Sequence, residues 1–153
     1  MSKNDVELKE VTRENWVSCA RIKLAPEQVH LVAPAVDSIA QSHFETHHKP
    51  RAIYANGNVV GLLVYAVETD PPDPTLFWLF RFMIDIEHQS KGYGTKAIRL
   101  AILEMKKAGA HRIRTMHKQG NEAASRVYNI HGFTKIGMLD DGDVELELIV
   151  QPT

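Results

Sequence analysis

The residues best suited to chemistry fall in two runs. The first is Gln89-Ser90-Lys91-Gly92-Tyr93-Gly94, between the apolar run Leu76 to Ile84 and a run of helical periodicity, Thr95 to Ala108. Two glycines at a strand-to-helix turn let the backbone approach a ligand closely. The helix that begins there offers unpaired N–H groups and the positive end of its dipole, and both suit a phosphate. Lys91 and Lys96 add positive charge beside it. The same spelling also fits a glycine connector that binds nothing. The second run is Asn121-Glu122-Ala123-Ala124-Ser125-Arg126-Val127-Tyr128, followed by Gly132-Phe133. On a helix, Asn121, Ala124 and Tyr128 share one face at i, i+3 and i+7. Taken alone, this run reads as an N-cap and a core aromatic.

Other candidates fail on spacing. His43-Phe44-Glu45-Thr46-His47 places two imidazoles at i, i+4, but the zinc motif H-E-x-x-H needs its Glu one place earlier. Asp140-Asp141-Gly142-Asp143 lacks the length and closing Glu of a calcium loop and reads as a hairpin turn. No metal is expected. The single cysteine, Cys19, excludes an internal disulfide and sits in an apolar helical pattern, as a buried thiol would. A net charge of −1 gives no footprint for nucleic acid. The N-terminal Met1-Ser2-Lys3-Asn4-Asp5 lacks the apolar core of a secretory signal. The run Val59 to Val67 is far short of the ~20 residues of a membrane span. A soluble, cytoplasmic protein is the expectation.

The elements that must position these runs follow from periodicity and turn chemistry. A length of 153 residues, 44% of them apolar, suits one domain over 1–153. Val6 to Val11 opens as a strand, and Thr12 caps a helix reaching about Leu24. A second helix is expected from about Ala33 to Thr46, with Val36, Ile39, Ala40, His43 and Phe44 on one face and Pro50 marking its end. Asn56-Gly57 between apolar runs marks a hairpin from Ala52 to Val67. Pro71, Pro72 and Pro74 argue against regular structure in Glu68 to Pro74. A strand up to Ile86, the Thr95–Ala108 helix, a strand at Arg112–His117, a helix from Asn121 to His131, and strands Phe133–Leu139 and Val144–Val150 complete the order. The result is a mixed α/β (α+β) domain with about seven strands, mostly antiparallel, and about four helices on both faces of the sheet.

The glycine loop also satisfies G-x-G-x-x-A of a dinucleotide site. However, three or more strands precede it, and the next strand ends Thr115-Met116-His117 without the acidic residue that such a site uses. No P-loop is present. Gln-x-x-Gly-x-Gly after an apolar strand resembles the acyl-CoA pyrophosphate loop of the GNAT family of N-acetyltransferases. Arg81-Phe82-Met83-Ile84-Asp85 followed by Gln89 to Gly94 resembles its bacterial diamine, spermine and spermidine branch. The Asn121 to Phe133 run is similar to the family pattern N-x-x-A-x-x-x-Y-x-x-x-G-F, at the expected distance downstream. The resemblance covers nearly the whole chain and is most specific from Phe80 to Phe133.

That resemblance implies the GNAT fold and direct transfer of an acetyl group from acetyl-CoA to a primary amine in a ternary complex, without a covalent enzyme intermediate. It implies coenzyme contacts from Phe82, Met83, Ile84, Gln89, Ser90, Lys91, Gly92, Tyr93, Gly94, Thr95 and Lys96, with Asn121 on the pantetheine arm. A main-chain N–H of Phe82–Ile84 serves the oxyanion. Tyr128 faces the thioester sulfur, where a phenol is a serviceable proton donor to the leaving thiolate. A carboxylate acting through water is the expected base, among Glu45, Glu68 and Asp85. Glu45 is favoured because its helix walls the acceptor pocket in that family. Glu45, Glu68, Asp70 and Asp73 are the carboxylates available to one polyamine mouth. Amino acids, peptides and aminoglycosides are alternative acceptors, and an acyl-CoA-binding module without turnover is the non-enzymatic alternative. Homodimers are common in the family, so a homodimer is the assembly it suggests.

Overall fold

The computed structural model describes residues 5–153. Strands β1 (Val6–Glu10), β2 (His48–Ala55), β3 (Asn58–Thr69), β4 (Pro72–Ile84), β5 (Arg112–His117), β6 (Thr134–Met138) and β7 (Val144–Ile149) form one sheet in the order β1-β2-β3-β4-β5-β7-β6. The β4–β5 pair is parallel, and the other pairs are antiparallel. Helices α1 (Trp16–Ala20), α2 (Ala35–Phe44), α3 (Tyr93–Lys107) and α4 (Glu122–Ile130) cover both faces. This is the mixed α/β fold that the sequence suggested. Among the described residues no helix is long and apolar enough to cross a membrane.

Parallel strands need a crossover, and α3 is that crossover. Its stripe Ala97, Ile98, Ala101 and Met105 is fully buried against Ile53, Leu63, Tyr65, Phe77 and Leu79 of the sheet, with Tyr128 and Phe133 in the same core. Lys106 and Lys107 occupy its last turn, where cations favour the helix dipole. A smaller core on the other face holds Cys19, Ala35, Leu62 and Met83.

Local structure departs from expectation in three places. Helix α1 ends at Ala20, because the chain turns at Arg21 to bring Ile22 and Leu24 onto the smaller core. It starts after Asn15, whose side chain is tied to Thr12, Glu10 and Tyr54. On α2 the buried positions are Ala35 and Ser38, while Val36 and Phe44 face solvent. The proline-rich segment is partly paired: Glu68 pairs with Asp73 and Thr69 with Pro72 at the tip of a β3–β4 hairpin, and the register then breaks between Val67 and Glu68, leaving Pro74 without a β3 partner. Pro72 is tolerated there because it is the first residue of its strand. Pro50 likewise lies inside β2, opposite Val64.

Two features of β4 shape the site. Val64 pairs with Arg81 and Tyr65 with Leu79, which leaves Phe80 as the extra residue of a β-bulge. The bulge shifts the side-chain phase. Phe77 and Leu79 face the α3–α4 core before it, and Phe82 and Ile84 face that core after it. Pairing with β5 runs only from Leu76↔Arg112 to Leu79↔Thr115, so the two strands fork beyond that pair.

Candidate active site

A cavity of about 370 Å³ opens at the far end of the fork. Its walls are Phe82, Met83 and Ile84 of β4, the loop residues Gln89, Ser90, Gly92, Tyr93, Gly94 and Thr95, and Asn121, Ala124 and Val127 of α4. Leu24, Gln28, Leu31 and Val32 of the α1–α2 segment close it from above. Lys91 is exposed and Lys96 half-buried; neither lines the cavity, though both flank its loop.

The loop is shaped by its backbone. Ser90 and Gly92 both have left-handed φ, at 64° and 82°. Gly92 precedes the first turn of α3 with no side-chain cap, so the helix N-terminus is left to whatever fills the cavity. Gly94 has a different reason: a Cβ there would lie 2.9 Å from Cζ of Phe82, so glycine lets α3 start this close to β4 without displacing that ring.

Gln89 anchors the loop. Its Nε2 donates to the Ile84 carbonyl (2.9 Å) and to Oε1 of Gln28 (2.9 Å), and Gln28 donates back to Gln89 Oε1 (3.3 Å). Asp85 fastens the same two segments. Its carboxylate accepts from the Lys23 N–H (2.8 Å) and the Glu87 N–H (3.1 Å), while Ile86 N–H donates to the Lys23 carbonyl (2.7 Å). Asp85 is therefore a clamp between the cavity roof and its loop.

Asn121 caps α4 through Oδ1, which accepts from Ala124 N–H (3.2 Å), and the same residue lines the cavity. Its NH2 carries two further donors. Tyr128 does not line the cavity. It lies beneath the wall with its ring 6.4 Å from Phe82 and 5.6 Å from Phe133. Its hydroxyl meets Thr115, the last β5 residue before the fork, whose own hydroxyl donates to the Leu79 carbonyl (2.6 Å). Burial pushes the phenol above the ordinary tyrosine range, and the Thr115 contact partly offsets this. Burial thus favours the neutral phenol at this position beside the fork.

The sequence matches the acetyltransferase (GNAT) family over residues 11–133. The chain belongs to that family. It is an acetyl-CoA-dependent N-acetyltransferase. Among curated relatives it is 27% identical over 139 residues to the spermine/spermidine N(1)-acetyltransferase of Bacillus subtilis (strain 168), covering 88% of this chain and 91% of that one. Among solved structures, an acetyltransferase from Thermus thermophilus superposes with a TM-score of 0.81 at 16% identity, over 98% of this chain and 100% of that one. The aminoglycoside acetyltransferase AAC(6')-Ib in complex with coenzyme A superposes with a TM-score of 0.79 at 18% identity, over 95% of each.

In this GNAT acetyltransferase a second cavity, of about 310 Å³, lies at the root of the fork. Phe80 and Met116, the residues just past the Leu79–Thr115 pair, form its wall, with His47, His48, Glu68, Trp78 and Leu139. Ala66 and Trp78 also line it, and they alternate along β3 and β4 with Tyr65, Phe77 and Leu79 of the α3–α4 core. It therefore opens on the opposite sheet face from Tyr128. Glu68 is the carboxylate that reaches it; its Oε1 accepts from Trp78 Nε1 (3.3 Å). Glu45 stands outside the lining, half exposed, 3.9 Å from His47. Asp73 is bonded to Thr75 and Arg112, and Asp70 is exposed. Sequence spacing did not single out His48 or Trp78, because this cavity is assembled from five separate segments.

Proposed function

We propose that this acetyltransferase acetylates a primary amine of a small diamine or polyamine by direct attack on acetyl-CoA. The observation that carries the acceptor class is the second cavity: its lining holds the Glu68 carboxylate, the Trp78 and Phe80 rings, and no Lys or Arg. A carboxylate beside aromatic faces suits an alkylammonium. The spermine/spermidine relative supports the same class. An aminoglycoside is the second reading, favoured by the AAC(6')-Ib superposition.

The first cavity suits the coenzyme. Gly92 to Thr95 present the uncapped N–H groups of α3 to a pyrophosphate, and Ser90, Gln89 and the outlying Lys91 and Lys96 complete that end. The open edge of Phe82–Ile84 can pair with an extended pantetheine arm as an added strand, and Asn121 can donate to it. The same edge offers a main-chain N–H to the oxyanion. Tyr128 gives its proton to the departing thiolate. Glu68 holds the distal ammonium of the acceptor, and Glu45, outside the lining, contributes to the negative field at its mouth. The chemistry places no demand on Cys19, which burial holds up at about 11, away from its reactive thiolate form. Release of coenzyme A thiol with spermidine, putrescine, an amino acid and an aminoglycoside, compared at equal concentration, tests the reading. Preference for the amino acid or the aminoglycoside would overturn the acceptor class.

A further inference from the structure

We propose that His48 takes the proton from the attacking amine, through Nε2, in the cavity at the root of the β4–β5 fork. This rests on the acetyl-transfer reading above and supplies its missing base. His48 opens β2 and lines the cavity. Its ring packs on Phe80, the bulge residue, with centroids 4.5 Å apart. Phe80 sits one step past the Leu79–Thr115 pair, and Thr115 meets the Tyr128 hydroxyl. The imidazole and the phenol thus flank one fork from opposite faces of the sheet.

The ring itself is set up for the role. Nδ1 is buried without a hydrogen-bond partner, which leaves Nε2 as the atom able to exchange protons with the cavity. Burial lowers the His48 pKa, His47 and Arg81 lower it further, and Glu45 opposes them. The groups facing it are Glu45 from the end of α2, His47 just before its own strand, Arg81 from β4 and Glu68 across the cavity from β3. At neutral pH the ring is an unprotonated base, whereas each carboxylate candidate has another engagement or position. Asp85 is tied to two N–H groups, Glu68 to Trp78, and Glu45 lies outside the lining.

The step balances. The amine lone pair adds to the thioester carbonyl carbon, a C–N bond forms, and the C=O electrons move to oxygen. The new ammonium passes one proton to His48 Nε2. The oxyanion re-forms C=O, the C–S bond breaks, and the thiolate takes the Tyr128 proton. Solvent then reprotonates Tyr128 and receives the His48 proton, giving amide and thiol.

The test is kcat against pH, at saturating acetyl-CoA and spermidine, for the wild type, His48→Gln and His47→Gln. The wild type is expected to lose kcat on an acid limb with its midpoint below 6.5, the ordinary histidine value. His48→Gln should lower kcat at neutral pH by about 10²-fold and abolish that limb. The KM for acetyl-CoA should stay within about twofold, and His47→Gln should keep the limb. A His48→Gln enzyme with wild-type kcat and an intact limb overturns the proposal while leaving acetyl transfer standing. If His48→Gln unfolds, a wild-type profile without an acid limb overturns it equally. No transfer to any amine by the wild type would bring down the acceptor reading and this inference together.

Discussion

Replacing Gly92 with alanine separates backbone strain from ligand binding. Gly92 sits at φ 82°, and a Cβ there would meet nothing within 4 Å. The substitution therefore adds no clash, only the cost of left-handed backbone, about 1–2 kcal/mol. For a domain of this size that is a fall in Tm of about 2–8 °C. Gly57, in the β2–β3 hairpin, is its control, with φ 81° and equally open space. Gly57→Ala should lose the same stability with no change in kinetics. Gly92→Ala should also disturb the first N–H groups of α3. A hydrogen bond to a charged group contributes about 1.5–3 kcal/mol, so loss of one raises the KM for acetyl-CoA by about 10- to 150-fold. Differential scanning calorimetry and initial rates at varied acetyl-CoA measure both. Equal KM values for the two variants would refute the cradle; an unchanged Tm in both would refute the strain argument.

Other predictions follow from the same contacts. Tyr128→Phe should lower kcat about 10²-fold with coenzyme KM unchanged, and a thermal melt should show a loss of about 1 kcal/mol from the missing Thr115 contact. Asp85→Asn keeps an acceptor oxygen for the Lys23 N–H and should hold kcat within a few-fold; a loss of about 10²-fold or more would restore Asp85 as the base. Glu68→Gln should raise the KM for spermidine about tenfold, since a charge-assisted contact of this kind is worth on the order of 1.4 kcal/mol, with kcat almost unchanged. Stability should fall in alkali. Burial pushes Cys19 from 9.0 to about 11, and burial together with Glu104 pushes Tyr65 from 10.0 to about 12. Both are raised on folding, so their stabilisation is intact below pH 9 and is lost as pH climbs through 9 to 12. Chemical denaturation at pH 7 and pH 10.5 should show this, with a shallower pH slope in Tyr65→Phe.

What the sequence made legible was local. Asn56-Gly57 specifies its hairpin through two positive φ values, and Gly92 specifies the start of α3 the same way. The Ala97–Met105 stripe and the Asn121 cap are likewise written within one turn or one helix face. The first cavity was readable because most of its wall comes from the 82–95 stretch plus Asn121 and its helix. Less legible was whatever depends on pairing partners. The β3 pairing reaches Pro72 but skips Pro74, and the bulge at Phe80 is visible only once Val64 and Tyr65 are matched to their partners. The outward Phe44 depends on which face of α2 meets the smaller core. The second cavity gathers His47, His48, Glu68, Trp78, Met116 and Leu139, which share no spacing. For that reason spacing alone did not separate Glu45, Glu68 and Asp85, and only the family resemblance favoured Glu45.

The proposed reaction is one transfer from acetyl-CoA, in the first cavity, to a small alkylamine in the second, across the β4–β5 fork. Mass spectrometry of spermidine incubated with the protein and acetyl-CoA tests it most directly. The expected product is heavier by one acetyl group, formed in step with coenzyme A thiol and about 10²-fold more slowly with Tyr128→Phe. Thiol release without acetylated amine, or no product from spermidine alongside ready acetylation of an aminoglycoside, would contradict it.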